Sequence, residues 1–278
     1  MSRDISEIDA IGRTAFEVAA LRAAETRRAD RLFEDPYAEM FLDAAGVDAE
    51  PTAAKAAFAA IMGVQAAVRT RFLDEALVSA ASSGCRQVVL LAAGMDSRAH
   101  RIAWPAGTEL FEVDRPAVLR FKQRVLQVHS ATAHTGVRAV EADLREDWSA
   151  ALMEAGFSHG RRTAWLVEGL LYAMDESDAG RLLTEIGDIS VHGSVIGFDH
   201  IEDSDALRQA LTSISPGLAR LWRSGPSDPD TWLRRHGWRP DIRELATVAH
   251  TYGRQVHPAY DPDQPGAAHS WLVTATRL

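Results

Sequence analysis

The chain is predicted to fold as an α/β protein on a mostly parallel sheet, with a helical segment in front of it. Three observations predict this. From Gln87 onward, short β-branched runs alternate with helical stretches, the pattern of parallel strands joined by right-handed crossovers. Val88-Val89-Leu90-Leu91 is continuously apolar, as a strand buried on both faces requires. Before Gln87, Ala, Glu and Arg dominate and glycine is sparse, which reads as helix.

In the first 85 residues apolar side chains recur at helical spacing, as in Phe16, Ala19, Ala20 and Ala23 and later Phe58, Ile61, Met62, Val68 and Phe72. Three or four helices are expected, broken at Asp35-Pro36 and around Gly46–Pro51. Pro36 cannot continue a helix interior, so the first long helix is expected to stop near Glu34. Residues 1–85 are thus assigned as a helical cap and 86–278 as the α/β domain. Strands are expected at Gln87–Ala92, Thr108–Glu112, Val137–Ala142, Thr163–Val167 and Ser194–Phe198. Helices fall near Arg115–His129, Trp148–Ala155 and Asp175–Ile189. In the tail, Trp238–Ile242 and Ser270–Thr276 read as a closing pair with a helix near Glu244–Tyr252, and Pro258–Pro265 as a surface loop.

At 278 residues the chain can bury a sizeable core. Its net charge of −9 argues against a broad nucleic-acid surface. No apolar run approaches a membrane span, and MSRDISEIDA lacks the features of a signal peptide, so a cytoplasmic location is the default expectation. The single cysteine, Cys85, excludes an intramolecular disulfide and reads as a buried structural thiol.

The most informative segment is VVLLAAGMDSRAHRIAWPAGTELFEVD, residues 88–114. A strand runs into Ala92-Ala93-Gly94, where small residues let backbone approach a ligand. Asp114 follows Gly94 by 20 positions, the distance of the carboxylate that binds ribose hydroxyls in nucleotide-binding α/β folds. The glycine-rich dinucleotide fingerprint is absent, and Asp96 beside the turn would repel a diphosphate. A phosphate-free nucleoside, S-adenosylmethionine, fits better than a nicotinamide dinucleotide.

Five stretches carry a family resemblance: LRAAETRRADRLFEDPYAEMFL (21–42), VRTRFLDE (68–75), VVLLAAGMDSRAHRI with FEVDRPAVLRFK (88–122), EADLRE (141–146) and WLVEGLLYAM (165–174). In this order they resemble the leucine carboxyl methyltransferase-like family of S-adenosylmethionine-dependent enzymes, especially its actinobacterial members. The tail matches more loosely, through GWRP and TYGR. The resemblance implies a Rossmann-like class I methyltransferase fold, a seven-stranded mostly parallel sheet with its last strand antiparallel. It also implies residue roles. Arg69 would pair with the cofactor's carboxylate, Gly94 line its methionine portion, and Asp114 hold the ribose. Asp143 and Leu144 would flank the adenine, and Glu168 meet the α-amino group. Arg22 falls, with a one-residue offset, at a basic position that orders the cap, and is assigned to substrate binding.

Each assignment has a plainer alternative. Arg69 and Arg71 share a helix with Asp74 and Glu75 and could make surface pairs; Asp143 and Asp175 could cap helices. Glu168 resists such a reading, because it lies within an apolar run and a buried carboxylate needs a partner.

The expected reaction is O-methylation, first of a carboxylate, which is ionised at neutral pH and needs no base. The actinobacterial likeness points to specialised metabolism, with a polyketide acid or a modified peptide's C-terminus as acceptor. A hydroxyl acceptor would want a base; His200, read as lying just beyond the fifth strand, and Glu202 are the candidates. The ten histidines show no metal-ligand spacing, so no metal is expected. Tyr172, Trp222, Trp232, Tyr252, Tyr260 and Trp271 could line a pocket attractive to a sulfonium, with Tyr172 expected nearest the methyl group. An NAD-dependent oxidoreductase and a cofactor-binding relative without catalysis are the alternatives from other classes.

Overall fold

The computed structural model describes residues 5–47, 52–214, 223 and 228–278. Seven strands form one sheet in the order β3-β2-β1-β4-β5-β7-β6: β1 Gln87–Leu91, β2 Glu109–Asp114, β3 Gly136–Glu141, β4 Thr163–Val167, β5 Val195–Ile201, β6 Trp238–Glu244 and β7 Ser270–Arg277. The first five strands pair in parallel, and β7 runs antiparallel to both neighbours. Strand order reverses between β1 and β4, so the crevice outside their carboxyl ends is where such sheets bind ligands. Both strands are buried at every position, which accounts for the unbroken apolar runs VVLL and AWLV.

Helix α1 spans Ala10–Thr26, α2 Pro36–Ala45 and α3 Ala53–Ser82. The first stops short of the expected Glu34. Thr26 Oγ1 accepts from Asp35 N–H at 2.9 Å and Glu25 accepts from Leu32 N–H at 2.7 Å, so local bonds fold residues 27–35 into a loop. Asp35 caps α2 by accepting from Tyr37 and Ala38 N–H, and Pro36 occupies the first turn, where its missing donor costs nothing. Phe16 and Phe121 pack edge-on at 5.2 Å, joining α1 and α2 to α5, Pro116–Val128. Leu73 and Leu77 of α3 pack against Leu90 and Leu166 of the sheet. Ile61, Met62 and Val68 of the same helix meet α8, Asp205–Ile214, and the buried Tyr260. A helix buried on several sides is apolar on several sides.

The remaining crossovers are α4 Arg98–Arg101, α6 Trp148–Glu154 and α7 Glu176–Asp188. The expected surface loop Pro258–Pro265 is corrected in its first half. Pro258–Tyr260 forms a 3-10 turn, and the Tyr260 ring is fully buried with its hydroxyl 2.7 Å from Met62 Sδ. Cys85 is buried as expected. No helix among the described residues is long and apolar enough to cross a membrane.

A buried ion pair ties the sheet to α5. Lys122 Nζ lies 2.8 Å from Glu112 of β2, with both side chains buried. Deleting one member leaves the other charge unpaired in the core. Lys122→Met is therefore expected to destabilise the protein by about 3–5 kcal/mol in urea unfolding. Adding Glu112→Leu should recover much of that loss, because no buried charge then remains.

Candidate functional site

A cavity of about 280 Å³ opens at the carboxyl ends of β1, β2 and β4. Its floor is the chain after β1. Ala92 and Gly94 both take left-handed backbone angles, φ 52° and φ 49°, which turn the chain sharply where β1 ends. A Cβ at Gly94 would lie 3.1 Å from Ala15 Cβ, so glycine lets α1 close over the turn. Gly94 N–H donates to Asp114 Oδ2 at 2.7 Å, and Arg115 N–H donates to Oδ1 at 2.7 Å. These bonds aim the Asp114 carboxylate. Burial pushes its pKa up, partly offset by the two backbone donors.

The deep wall is a buried ion network. Glu168, the residue after β4, has Arg69 Nε at 3.0 Å and Arg22 Nη2 at 3.8 Å on one oxygen, and Arg98 Nη1 at 2.7 Å on the other. Arg69 Nη1 also reaches Asp199 of β5 at 3.1 Å. Arg98 bonds Asp74 at 2.6 Å and pairs with Asp96; Arg101 completes the set on Asp74. Burial by itself would raise the Glu168 pKa, but the guanidiniums of Arg98, Arg69 and Arg22 outweigh it and hold the carboxyl far below the usual range. Asp199 is pushed up by burial despite Arg69. It also accepts from Gly169 N–H at 2.6 Å, and Gly169, at φ 71°, turns the chain after Glu168.

Of the predicted site residues, Arg22, Arg69, Gly94, Asp114, Glu168 and Tyr172 all line this one cavity. Burial pushes the Tyr172 hydroxyl up to about 12, so it stays protonated at neutral pH. The surface-pair alternative holds for Arg71, which meets Glu75 at 2.6 Å, and fails for the buried Arg69. Asp143, Leu144 and His200 do not line the cavity. Asp143 pairs with the exposed Arg145 at 2.5 Å, whose hydrogen bond lowers its pKa to about 2. Helix α6 is capped by Asp147 instead. Leu144 packs on the core. Asp175 caps α7, as its plainer alternative expected.

His200 is corrected in position. It lies within β5, not beyond it, because pairing with β7 continues through His200↔Trp271 to Ile201↔Ser270. Its ring is fully buried and stacks on Trp271 at 5.7 Å. Among the other aromatic candidates, Trp232 and Tyr260 are core residues, Tyr252 bonds Glu75 at 2.8 Å, and Trp222 lies outside the described residues. Reading the sequence missed Arg98, Asp199 and Glu17. Glu17 of α1 is reached from within the cavity, and the protein around it raises its pKa by desolvation. No group of His, Cys, Asp and Glu suited to a metal ion occurs among the described residues.

The sheet order and strand-end cavity define a class I methyltransferase architecture. A Streptomyces avermitilis protein solved at 1.80 Å shares the fold with TM-score 0.60 at 16% identity, over 94% of this chain and 97% of that one. A Thermobifida fusca protein gives 0.57 at 18%, over 95% and 94%. Residues 15–187 match the family described as leucine carboxyl methyltransferase, and the chain belongs to that family. A Frankia alni protein named "Putative S-adenosyl-L-methionine-dependent methyltransferase" is 49% identical over 274 residues, covering 96% of this chain and 94% of its own length. A Streptomyces coelicolor protein of the same description is 42% identical, covering 95% and 94%.

The depressed Glu168 pKa has a consequence for stability. A carboxyl held below its unfolded value stabilises the fold above that value, and the contribution is lost as pH falls through the folded pKa. In thermal melts, wild type should exceed Glu168→Gln by its full margin at pH 7. That margin should shrink as pH drops below the ordinary glutamate value of 4.5.

Proposed function

We propose that the cavity binds S-adenosylmethionine and that its methyl group passes to a carboxylate oxygen of a small molecule or peptide C-terminus. The observation that carries the cofactor assignment is the opposed pair Arg69 and Glu168 in the wall of the cavity that also holds Asp114 and Gly94. Arg69 and Arg22 suit a carboxylate, Glu168 an ammonium group, and Asp114 a pair of hydroxyls. This is the set a methionine zwitterion and a ribose require. The relatives' description as S-adenosylmethionine-dependent enzymes supports the same cofactor. Asp143 and Leu144, which follow the Ala142 N–H bond to Asp114 O at 3.0 Å, are assigned to the adenine beyond the rim.

When bound, the cofactor supplies a sulfonium methyl group for in-line displacement. The protein's part is to hold donor and acceptor in line and exclude water. Among the described residues lining the cavity there is no histidine, lysine or cysteine, and Tyr172 keeps its proton. That lining suits an acceptor that arrives ionised, and the guanidinium of Arg223, which the cofactor assignment leaves unused, suits its negative charge. The family's description supports a carboxyl acceptor as well. One observation favours a second reading, methylation of a hydroxyl. Glu17, an exposed carboxylate of α1 that lines the cavity and whose pKa is raised by desolvation, is the candidate base, and in that case it holds the role that the sequence suggested for His200.

Methyl-tritiated cofactor incubated with a panel of carboxylic acids separates the two. An ester releases volatile labelled methanol in alkali; an ether does not. Label that turns volatile upholds the carboxylate reading, and alkali-stable label with loss of turnover in Glu17→Gln overturns it. Asp114→Ala should weaken S-adenosylhomocysteine binding at least about tenfold by calorimetry, the loss of roughly one charge-assisted hydrogen bond.

A further inference from the structure

Three guanidiniums meet Glu168, and they are not equivalent. Arg22 and Arg69 line the cavity, where a ligand's carboxylate can reach them; Arg98 does not line it. Arg98 is wholly buried behind Glu168 and fixed from several sides. Its Nε bonds Asp74 of α3 at 2.6 Å, its backbone N–H donates to Asp96 Oδ1 at 2.7 Å, and its carbonyl accepts from Trp104 Nε1 at 2.9 Å. A ligand that draws Arg22 and Arg69 onto its own carboxylate leaves Arg98, 2.7 Å from Oε2, as the cation still held on Glu168.

We propose that Arg98 is a positioning residue, the permanent counter-ion that keeps Glu168 aimed at a ligand's ammonium group while Arg22 and Arg69 turn to its carboxylate. This rests on the cofactor assignment above. The charge count supports it. Arg22, Arg69, Arg98 and Arg101 face Asp74, Asp96, Glu168 and Asp199, four cations against four anions. A zwitterion enters such a network without upsetting its neutrality. Were Arg98 absent, Glu168 would face burial with Asp96 and Asp199 opposing its charge, and among the described residues Arg22 and Arg69 would be the cations left paired with it, the Tyr172 hydroxyl being neutral. Its carboxyl would then titrate closer to neutral pH.

The test is calorimetric titration of the full-length wild type, Arg98→Met, Arg98→Lys, Glu168→Gln and the Arg98→Met/Glu168→Gln double variant from pH 8 to pH 5.5. Two probes are used: S-adenosylhomocysteine, and 5′-methylthioadenosine, which lacks the amino-acid group. Wild-type affinity for the first should be nearly flat with pH. Arg98→Met should bind it at least about tenfold more weakly and lose further affinity on acidification, by up to about tenfold per pH unit below the raised Glu168 pKa. Its binding of 5′-methylthioadenosine should be unchanged, and the double variant should match Glu168→Gln with no pH slope. Arg98→Lys, which keeps the charge, should fall between wild type and Arg98→Met, and it carries the same test if the methionine variant does not fold. Equal weakening of both probes, no pH slope, or a slope that survives in the double variant would overturn the proposal and leave Arg98 a structural residue. A wild type that binds neither probe would instead overturn the cofactor assignment, and this proposal with it.

Discussion

The buried ion network around Glu168 sets the terms for everything near the cavity. Its members come from α1, α3, the turn after β1, α4, the end of β4 and the body of β5. Each element must therefore sit where its charge is needed. Such a network is a poor way to gain stability, since desolvation of the ions offsets much of their attraction and apolar side chains of similar volume do as well or better. Its presence in the wall of a cavity points to recognition instead. Two of its guanidiniums and two of its carboxylates, Arg22, Arg69, Asp96 and Glu168, face that space. They keep one another compensated when nothing else does.

Backbone geometry makes the network reachable. A parallel strand that simply ran on would cover the sheet's end. Here the left-handed residues Ala92 and Gly94 turn the chain after β1, and Gly169 does the same after β4. For Ala92 that conformation costs on the order of 1–2 kcal/mol. Strain of this kind persists where the surroundings impose it. The N–H groups freed by the turns are used at once, Gly94 on Asp114 and Gly169 on Asp199. The same kinks that open the cavity thus orient Asp114, which lines it, and Asp199, which holds the cavity's Arg69.

The sheet was largely legible in the sequence because both its central strands are buried on two faces, and an unbroken apolar run as short as AWLV suits a doubly buried strand far better than an amphipathic helix. Glu168 was legible for the same reason: a carboxylate inside such a run had to have a partner. Which partners was harder. Arg69 lies 99 residues earlier on a helix where Arg71, two positions on, does make the ordinary surface pair. Arg98 sits in DSRAHR, whose polarity reads as an exposed turn, yet its side chain is wholly enclosed. His200 was misplaced and Asp199 missed for one reason. Ending β5 at Phe198 placed them in a loop, whereas pairing with β7, 70 or so residues on, carries the strand to Ile201. Register with a distant antiparallel partner leaves no local mark on the sequence.

Helix α3 links the two ends of the cavity. Phe58, Met62, Gln65 and Arg69 fall on one face at intervals of three or four residues, and they pass from apolar through amide to cation. Phe58, Met62 and Arg69 line the cavity, and Gln65 reaches Asp199 at 3.4 Å. Eleven residues of helix separate the ends of this face by roughly 16 Å. The charged end lies against the strand termini, so a zwitterionic group belongs there. The apolar end, with Leu170 and Ala173 also in the lining, is left for the apolar portion of the acceptor in the reading proposed above. In that reading one rigid element spaces the two ligands, and helix geometry sets the distance between donor and acceptor. On the carboxylate reading proposed above, such a site selects an acceptor by the length and breadth of its apolar portion as much as by its anionic end.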